Sequence, residues 1–396
     1  MKFQLVSQDS TTAARLGKIN TDHGDITTPV FMPVGTAGTV KALTQEHLEE
    51  LGAEIILGNT YHLYLRPGYR VIHQLGGLHR FMSWPRPLLT DSGGFQVFSQ
   101  AGLRTVREEG VLFRSHLDGS SHFLSPEKSI EIQVALGSDI MMAFDHCPAY
   151  VQESNLVREA MERTLRWAKR SKEAVSNCHH QGLNCPHEQW LFGIGQGGTD
   201  LKMRSECIKR LVDLDFPGYA IGGLSVGEPR NLMFEVVQQS LEDLPTTKPR
   251  YLMGVGSPNE LLRYVAMGVD MFDCVLPTRV ARSGSVFTRA GRINLAAPQF
   301  RGVKGPVDPD CDCTTCQEYD IGYLNHLFKS KEMLGSRLAT LHNLRFVHLL
   351  VSRARSHILN GSFQRYAKEF LSYYKPTDES ARLEQKDRWM KAKMEN

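Results

Sequence analysis

One local pattern recurs along this chain: a helical stretch closes on glycine and a short apolar run follows at once, as in EELGAEIILG, VALGSDIMMAF and VAMGVDMFDC. Glycine suits the left-handed residue just past a helix, and a brief β-branched or apolar run after it reads as a buried strand. Runs of this kind fall at 31–34, 54–58, 87–90, 139–144, 191–195, 218–221, 251–255 and 269–272, with amphipathic stretches at 42–51, 126–136, 153–175, 200–213, 228–241 and 257–267. Eight alternating units over roughly 250 residues fit a closed (β/α)8 barrel, a TIM barrel of the α/β class. An open doubly wound sheet is the alternative, because periodicity does not report closure.

The polar residues favour the barrel. Asp91 follows the third run, Asp145 the fourth, Gln196 the fifth, Gly222 and Gly223 the sixth and Asp273 the eighth. In a barrel the carboxyl ends of all strands meet at one rim, so residues far apart in sequence line one pocket. Any single Asp after a strand reads most simply as a helix cap or turn former. Five positions in the same register point to a site.

The 396 residues are 41% hydrophobic and 22% charged, which suits a globular core, and no apolar run is long enough to cross a membrane. The opening residues lack a signal-peptide core, so a cytoplasmic protein is expected. A formal net charge of +3 permits a local nucleic-acid patch without requiring one. Cys311, Cys313 and Cys316 form C-x-C-x-x-C, which in a reducing compartment points to a structural zinc site completed by one imidazole. His342 and His326 both qualify by spacing. The stretch CHHQGLNCPH at 178–187 matches no zinc template and reads as a surface loop before the fifth strand. Beyond about residue 295 the alternation gives way to helical stretches at 316–333, 336–359 and 362–374. The expected organisation is therefore a catalytic barrel over 1–295, a helical zinc-binding subdomain over 296–374, and a charged tail over 375–396 that is solvated or frayed.

With these residues assembled, the chain resembles the tRNA-guanine transglycosylases, or queuine tRNA-ribosyltransferases, of bacterial type. The resemblance runs from about Ala14 to about residue 372 and is carried by TPVFMPVGTAGTVK, GNTYHLYLRPG, TDSGGFQVFS, MMAFDHC, GIGQGG, GYAIGGLSVGE, YLMGVGSP, VDMFDCVLPTRVARSG and CDCTTC followed by TLHN. It implies a barrel with a zinc subdomain, a homodimer, and replacement of guanine at the anticodon wobble position of tRNA by a 7-deazaguanine. It further implies that Asp273 is the nucleophile, Asp91 the general acid/base, and Asp145 the carboxylate that accepts from the base's amino and ring N–H edge. Gln196 and the Gly223 N–H read the carbonyl oxygen of the base. The Leu224 carbonyl accepts from an aminomethyl group with Glu228 behind it, and Phe95 and Met253 sandwich the ring. Cys311, Cys313, Cys316 and His342 hold the zinc. Cys147 and Val226 resemble members that take 7-aminomethyl-7-deazaguanine as incoming base; the same reaction with queuine is the alternative. His146 stands where many relatives carry an acidic residue.

The chemistry fits these residue types. Exchanging a base without net hydrolysis needs a carboxylate to hold ribose C1′ and a second carboxyl group to move the proton. Crowding Asp91 and Asp145 together should raise one pKa. A base must leave its stack to be reached, so the partner is a single-stranded anticodon loop, with Arg279 and Arg282 expected to hold its phosphates rather than close a salt bridge at the rim. A catalytically silent RNA-binding partner subunit would have lost the acidic residues. A glycosidase acting on free nucleosides would not need the two arginines or the appendage.

Overall fold

The computed structural model describes residues 2–100, 104–150, 153–180, 187–378, 380 and 384. Nine parallel strand segments form its central sheet, with Val30–Met32 at one end of the hydrogen-bonded order and Val34–Gly35 at the other. These two segments are one strand interrupted at Pro33, which has no N–H to donate to a ladder. Val30–Met32 pairs with the last strand, Met271–Asp273, and Val34–Gly35 pairs with the second, Ile56–Gly58. The first strand therefore joins the eighth to the second and the sheet closes. Between them stand Leu88–Thr90, Ile140–Met142, Trp190–Gly195, Gly218–Ile221 and Arg250–Leu252. All eight expected runs are strands of this barrel, and the open-sheet alternative is excluded.

Strand residues point alternately to opposite faces. Val30, Met32, Val34, Leu57, Leu89, Ile140, Met142, Trp190, Phe192, Ile194, Ala220, Tyr251 and Met271 form one buried cluster that fills the barrel. Their neighbours Phe31, Ile56, Leu88, Met141, Leu191, Leu252 and Phe272 belong to the second cluster, packed against the helices. Helix boundaries follow their caps. Ser125 accepts from the Lys128 N–H at the start of Pro126–Leu136, a proline occupies its first turn, and Gly137 ends it at φ 72°.

The expected helix at 153–175 is longer, Ser154–His180. The expected helix at 316–333 is broken into Thr314–Glu318 and Ile321–Lys329, because Tyr319 and Asp320 are extended and the Asp320 carboxylate accepts the Gly305 N–H at 2.6 Å. The long helix Met333–Leu359 lies against Leu276–Arg282 and the first barrel strand. Most of the tail from 379 onward lies outside the described residues.

The end of the barrel where strands begin is fastened by a buried ion pair. Arg15 donates from Nε to Asp270 Oδ1 at 2.9 Å and from Nη2 to Oδ2, while the Arg250 N–H donates to Oδ2 at 2.7 Å. Both side chains of the pair are buried. Arg15→Met leaves Asp270 without its cation, and urea unfolding is expected to show a loss of about 3–5 kcal/mol. Removing the Asp270 charge as well should return much of it; a double variant as unstable as the single would contradict this reading.

Candidate active site and metal centre

The lumen register carries on past the strand ends. Asp91 lies two residues beyond Leu89, Gln196 two beyond Ile194, Met253 two beyond Tyr251 and Asp273 two beyond Met271, so each continues an inward-facing row to the rim.

Asp91 is buried and held from several sides. Asn59 Nδ2 donates to Oδ2 at 2.6 Å, the Thr60 N–H to Oδ1 at 2.8 Å and Gln96 Nε2 to Oδ2 at 3.0 Å. Burial, helped by the negative charge of Asp273, pushes its pKa up to about 7. Asp145 is buried beside it, accepting from Gln196 Nε2 at 2.7 Å and Ser92 Oγ at 3.1 Å, and burial raises its pKa to about 6. The expected elevation is present, but its cause differs: desolvation leads, and Asp273 rather than Asp145 is the charge that acts on Asp91. Asp273 Oδ1 accepts from the Tyr251 hydroxyl at 2.6 Å and the Gly254 N–H at 2.9 Å. Its pKa is raised by burial and pulled back by these two donors.

The opposite wall is backbone. Gly223 sits at φ 68°, and a Cβ there would stand 2.1 Å from Gln196 Oε1, so only glycine permits this approach. Gln196 Oε1 is buried with no protein partner, an orphan acceptor of the kind ligand sites carry. The Glu228 carboxylate, itself buried, accepts the N–H groups of Ser225, Val226 and Gly227, the last two at 3.0 Å. A trans peptide points its N–H and C=O in opposite directions, so anchoring the Ser225 N–H turns the Leu224 carbonyl away from Glu228.

Phe95 is 46% exposed on the helix Gly94–Gln100, and Met253 is partly buried just past the seventh strand. Gly94 packs close enough to Asp145 that a Cβ would lie 3.2 Å from its carboxylate. Cys147 is buried and its thiol is pushed up to about 12, which removes it as a nucleophile. His146 stacks on Phe98 and meets Arg163 Nη1 at 3.0 Å; burial and that guanidinium lower its pKa to about 4, so it is neutral. Arg279 and Arg282 lie on Leu276–Arg282, directly after Asp273; Arg279 is exposed, and among the described residues neither makes an ion pair. The salt-bridge reading of these two arginines fails.

Tyr251, Asn59, Thr60, Gln96 and Arg204 were not anticipated. Arg204 is buried and donates to the carbonyls of Gly195, Gly222 and Gly198, tying the fifth and sixth strand ends together. Alternation in YLMG, with Tyr251 two residues before the rim, was the one available signal for Tyr251.

The Cys311, Cys313, Cys316 and His342 donor atoms all lie within 4.8 Å of one another in a buried pocket. Cys316 Sγ is 3.2 Å and Cys313 Sγ 3.6 Å from His342 Nδ1. His342 Nε2 lies 2.6 Å from the Phe287 carbonyl, to which it donates, so Nδ1 keeps its lone pair for a metal. His326 is exposed and stacks near Tyr323. The donor set fits a tetrahedral zinc ion with every position filled by protein, a structural role.

Fold and rim together define a (β/α)8 barrel that carries three carboxyl groups at the carboxyl ends of its strands. The family profile described as "Queuine tRNA-ribosyltransferase" matches residues 9–376. A curated "Queuine tRNA-ribosyltransferase" of Caldanaerobacter subterraneus subsp. tengcongensis is 55% identical over 374 residues, 94% of this chain and 98% of that protein. Another so named, from Dictyoglomus turgidum, is 49% identical over 391 residues, 99% of each chain. A third, from Dehalococcoides mccartyi, is 50% identical over 98% of this chain and 97% of its own length. The chain belongs to the queuine tRNA-ribosyltransferase family.

Because the folded chain holds the Asp91 proton more tightly than the unfolded chain does, its contribution to stability is full below the ordinary carboxylate pKa and is lost as pH rises through about 7. Between about pH 4 and 8 the melting temperature of the native chain should therefore fall further than that of Asp91→Asn. Calorimetry across that range checks it, and parallel curves would refute it. At the metal centre, Cys313→Ala should lower zinc content and melting temperature together; full zinc in that variant would rule the site out.

Proposed function

We propose that this chain is a tRNA-guanine transglycosylase, a pentosyltransferase that replaces guanine at the wobble position of tRNAs with GUN anticodons by 7-aminomethyl-7-deazaguanine. The observation that carries the reading is the set of three carboxyl groups at one rim, with Asp91 poised near neutrality and no cation paired to any of them among the described residues.

In this mechanism a carboxylate oxygen of Asp273 attacks ribose C1′ as the bond from C1′ to N9 of guanine breaks, leaving a ribosyl ester on the enzyme. The Tyr251 hydroxyl and Gly254 N–H hold that carboxylate in place. Asp91 in its acid form gives a proton to the departing guanine. It then takes the N9 proton from the incoming base, whose nitrogen attacks C1′ and releases Asp273. Asp145 accepts from the amino and ring N–H edge, the second Gln196 Nε2 N–H and the Gly223 N–H donate to the carbonyl oxygen, and the Leu224 carbonyl, aimed by Glu228, accepts the aminomethyl ammonium. Phe95 and Met253 cover the ring faces, a contact worth about 1–3 kcal/mol per base. The buried Cys147 keeps that end of the pocket small, which favours the aminomethyl base over queuine. Arg279 and Arg282 hold the phosphates beside the flipped nucleotide. The reading includes zinc at Cys311, Cys313, Cys316 and His342, a barrel over 1–295 with its metal-bearing appendage over 296–374, a homodimer and a cytoplasmic location. None of the described helices is long and apolar enough to cross a membrane.

Radiolabelled guanine should exchange into GUN-anticodon tRNA and not into free guanosine, and 9-deazaguanine should trap an RNA–protein adduct. Asp273→Asn should abolish the adduct and lower exchange by on the order of 10⁴-fold or more. An adduct that survives Asp273→Asn overturns the nucleophile; label entering guanosine alone favours the nucleoside glycosidase.

A further inference from the structure

A second group of metal-ligating side chains lies at the other end of the barrel. His23 is in the turn between the strands Arg15–Thr21 and Gly24–Thr28, and His79 is on the helix Gly77–Met82. Asp139 immediately precedes the fourth strand, and His187 stands just before the fifth. One donor atom from each falls within 4.8 Å of all the others. Asp139 is buried and the three histidines are partly buried. The site is therefore at the end where strands begin, away from the catalytic rim.

The hydrogen bonding presets the donors. His79 Nδ1 lies 3.1 Å from the Trp84 carbonyl. A carbonyl only accepts, so Nδ1 carries a proton, and in the neutral ring Nε2 presents a lone pair. That Nε2 is buried and faces Asp139 Oδ2 at 3.3 Å, outside good hydrogen-bond geometry. A lone pair facing a carboxylate oxygen is unfavourable unless a proton or a metal ion stands between them. The backbone carbonyl behind His79 is the outer support that metal-bound histidines carry. Asp139 is likewise fixed, its Oδ2 accepting the Leu88 N–H at 2.8 Å. His23 Nδ1 is 2.7 Å from Asp139 Oδ1, the His23 ring stacks on His79 at 3.6 Å, and His187 stands edge-on to both at 4.5 and 5.8 Å. Three imidazoles thus converge on one carboxylate from three separate segments.

We propose that His23, His79, Asp139 and His187 form a second metal site, which takes a borderline divalent transition ion such as Zn2+. Three imidazoles and one carboxylate are a donor set for this class rather than for calcium or magnesium, which prefer oxygen. Bonds of about 2.1 Å in a tetrahedron put donors about 3.4 Å apart, so small side-chain rotations close the present arrangement. Four protein donors leave no open position, and the ion serves as a clip. It ties the N-terminal hairpin and the helix Gly77–Met82 to the starts of two barrel strands. The stretch at 178–187 thus contributes to metal binding through His187 and partners elsewhere in the chain, rather than through its own spacing. Cys178 is buried in the preceding helix, the side chains of His179 and His180 are not described, and 181–186 lie outside the described residues.

The test equilibrates the full chain with excess Zn2+, removes loosely held metal by gel filtration and counts zinc by emission spectrometry. The native chain is expected to retain two equivalents, and His187→Ala and His23→Gln one, with guanine exchange unchanged. Loading with Co2+ identifies the equivalent that is lost: it should show ligand-field bands without thiolate charge transfer, whereas the cysteine site keeps that absorption. A native chain with no cobalt signal other than the thiolate site, or variants that retain two equivalents, overturns the proposal and leaves a protonated histidine as the partner of Asp139.

Discussion

Closing a parallel sheet on itself forces each strand residue either into the lumen or into the layer between sheet and helices, and nearly everything else here depends on that choice. Pro33 interrupts the ladder of the first strand, but the strand still bridges the eighth and the second. With the lumen filled by residues such as Met32, Phe192 and Tyr251, the next inward-facing position of each strand lies at its rim. Asp91, Gln196, Met253 and Asp273 are those positions. Burial at this end of the barrel is what lifts the pKa of Asp91, and of the adjoining Asp145, toward neutrality.

The Cys311, Cys313, Cys316 and His342 cluster is connected to this rim by a short chain of hydrogen bonds. Asn343, next to His342, donates to the carbonyls of Pro277 and Ser285 and accepts the Phe287 N–H. His342 donates to the carbonyl of the same Phe287. Pro277 belongs to the helix that leaves the eighth strand directly after Asp273 and carries Arg279 and Arg282. An ion held by this cluster would fix His342 and, through these bonds, where that helix starts.

The barrel and its strand-end residues were legible in the sequence because both follow from period and register: eight short runs, with Asp91, Asp145, Gln196 and Asp273 directly after four of them. The broken helix at 316–333 was not, because its break depends on Asp320 capping a distant Gly305 N–H, which leaves no mark on local periodicity. Spacing alone could not choose between His326 and His342, since both lie on helices after the cysteines; burial and the Phe287 carbonyl separate them. Asn59, Thr60 and Gln96 were invisible for a related reason. They matter through one shared acceptor, Asp91, and a hydrogen bond between chain segments has no sequence signature of its own.

The two ends of the barrel treat their carboxylates in opposite ways. Where the strands begin, Asp270 is matched by Arg15, and Asp139 is surrounded by imidazoles. Where the strands end, Asp91, Asp145 and Asp273 receive only neutral donors, and none is paired with a cation among the described residues. A buried carboxylate without a cation costs stability, and a matching Arg or Lys at the rim would reduce that cost. It would also hold Asp91 ionised and unable to give a proton near neutral pH. The end that fastens the fold can therefore surround its carboxylates with basic side chains, whereas the end to which the proposed reaction is assigned would have to leave them open until a ligand supplies the hydrogen-bond donors.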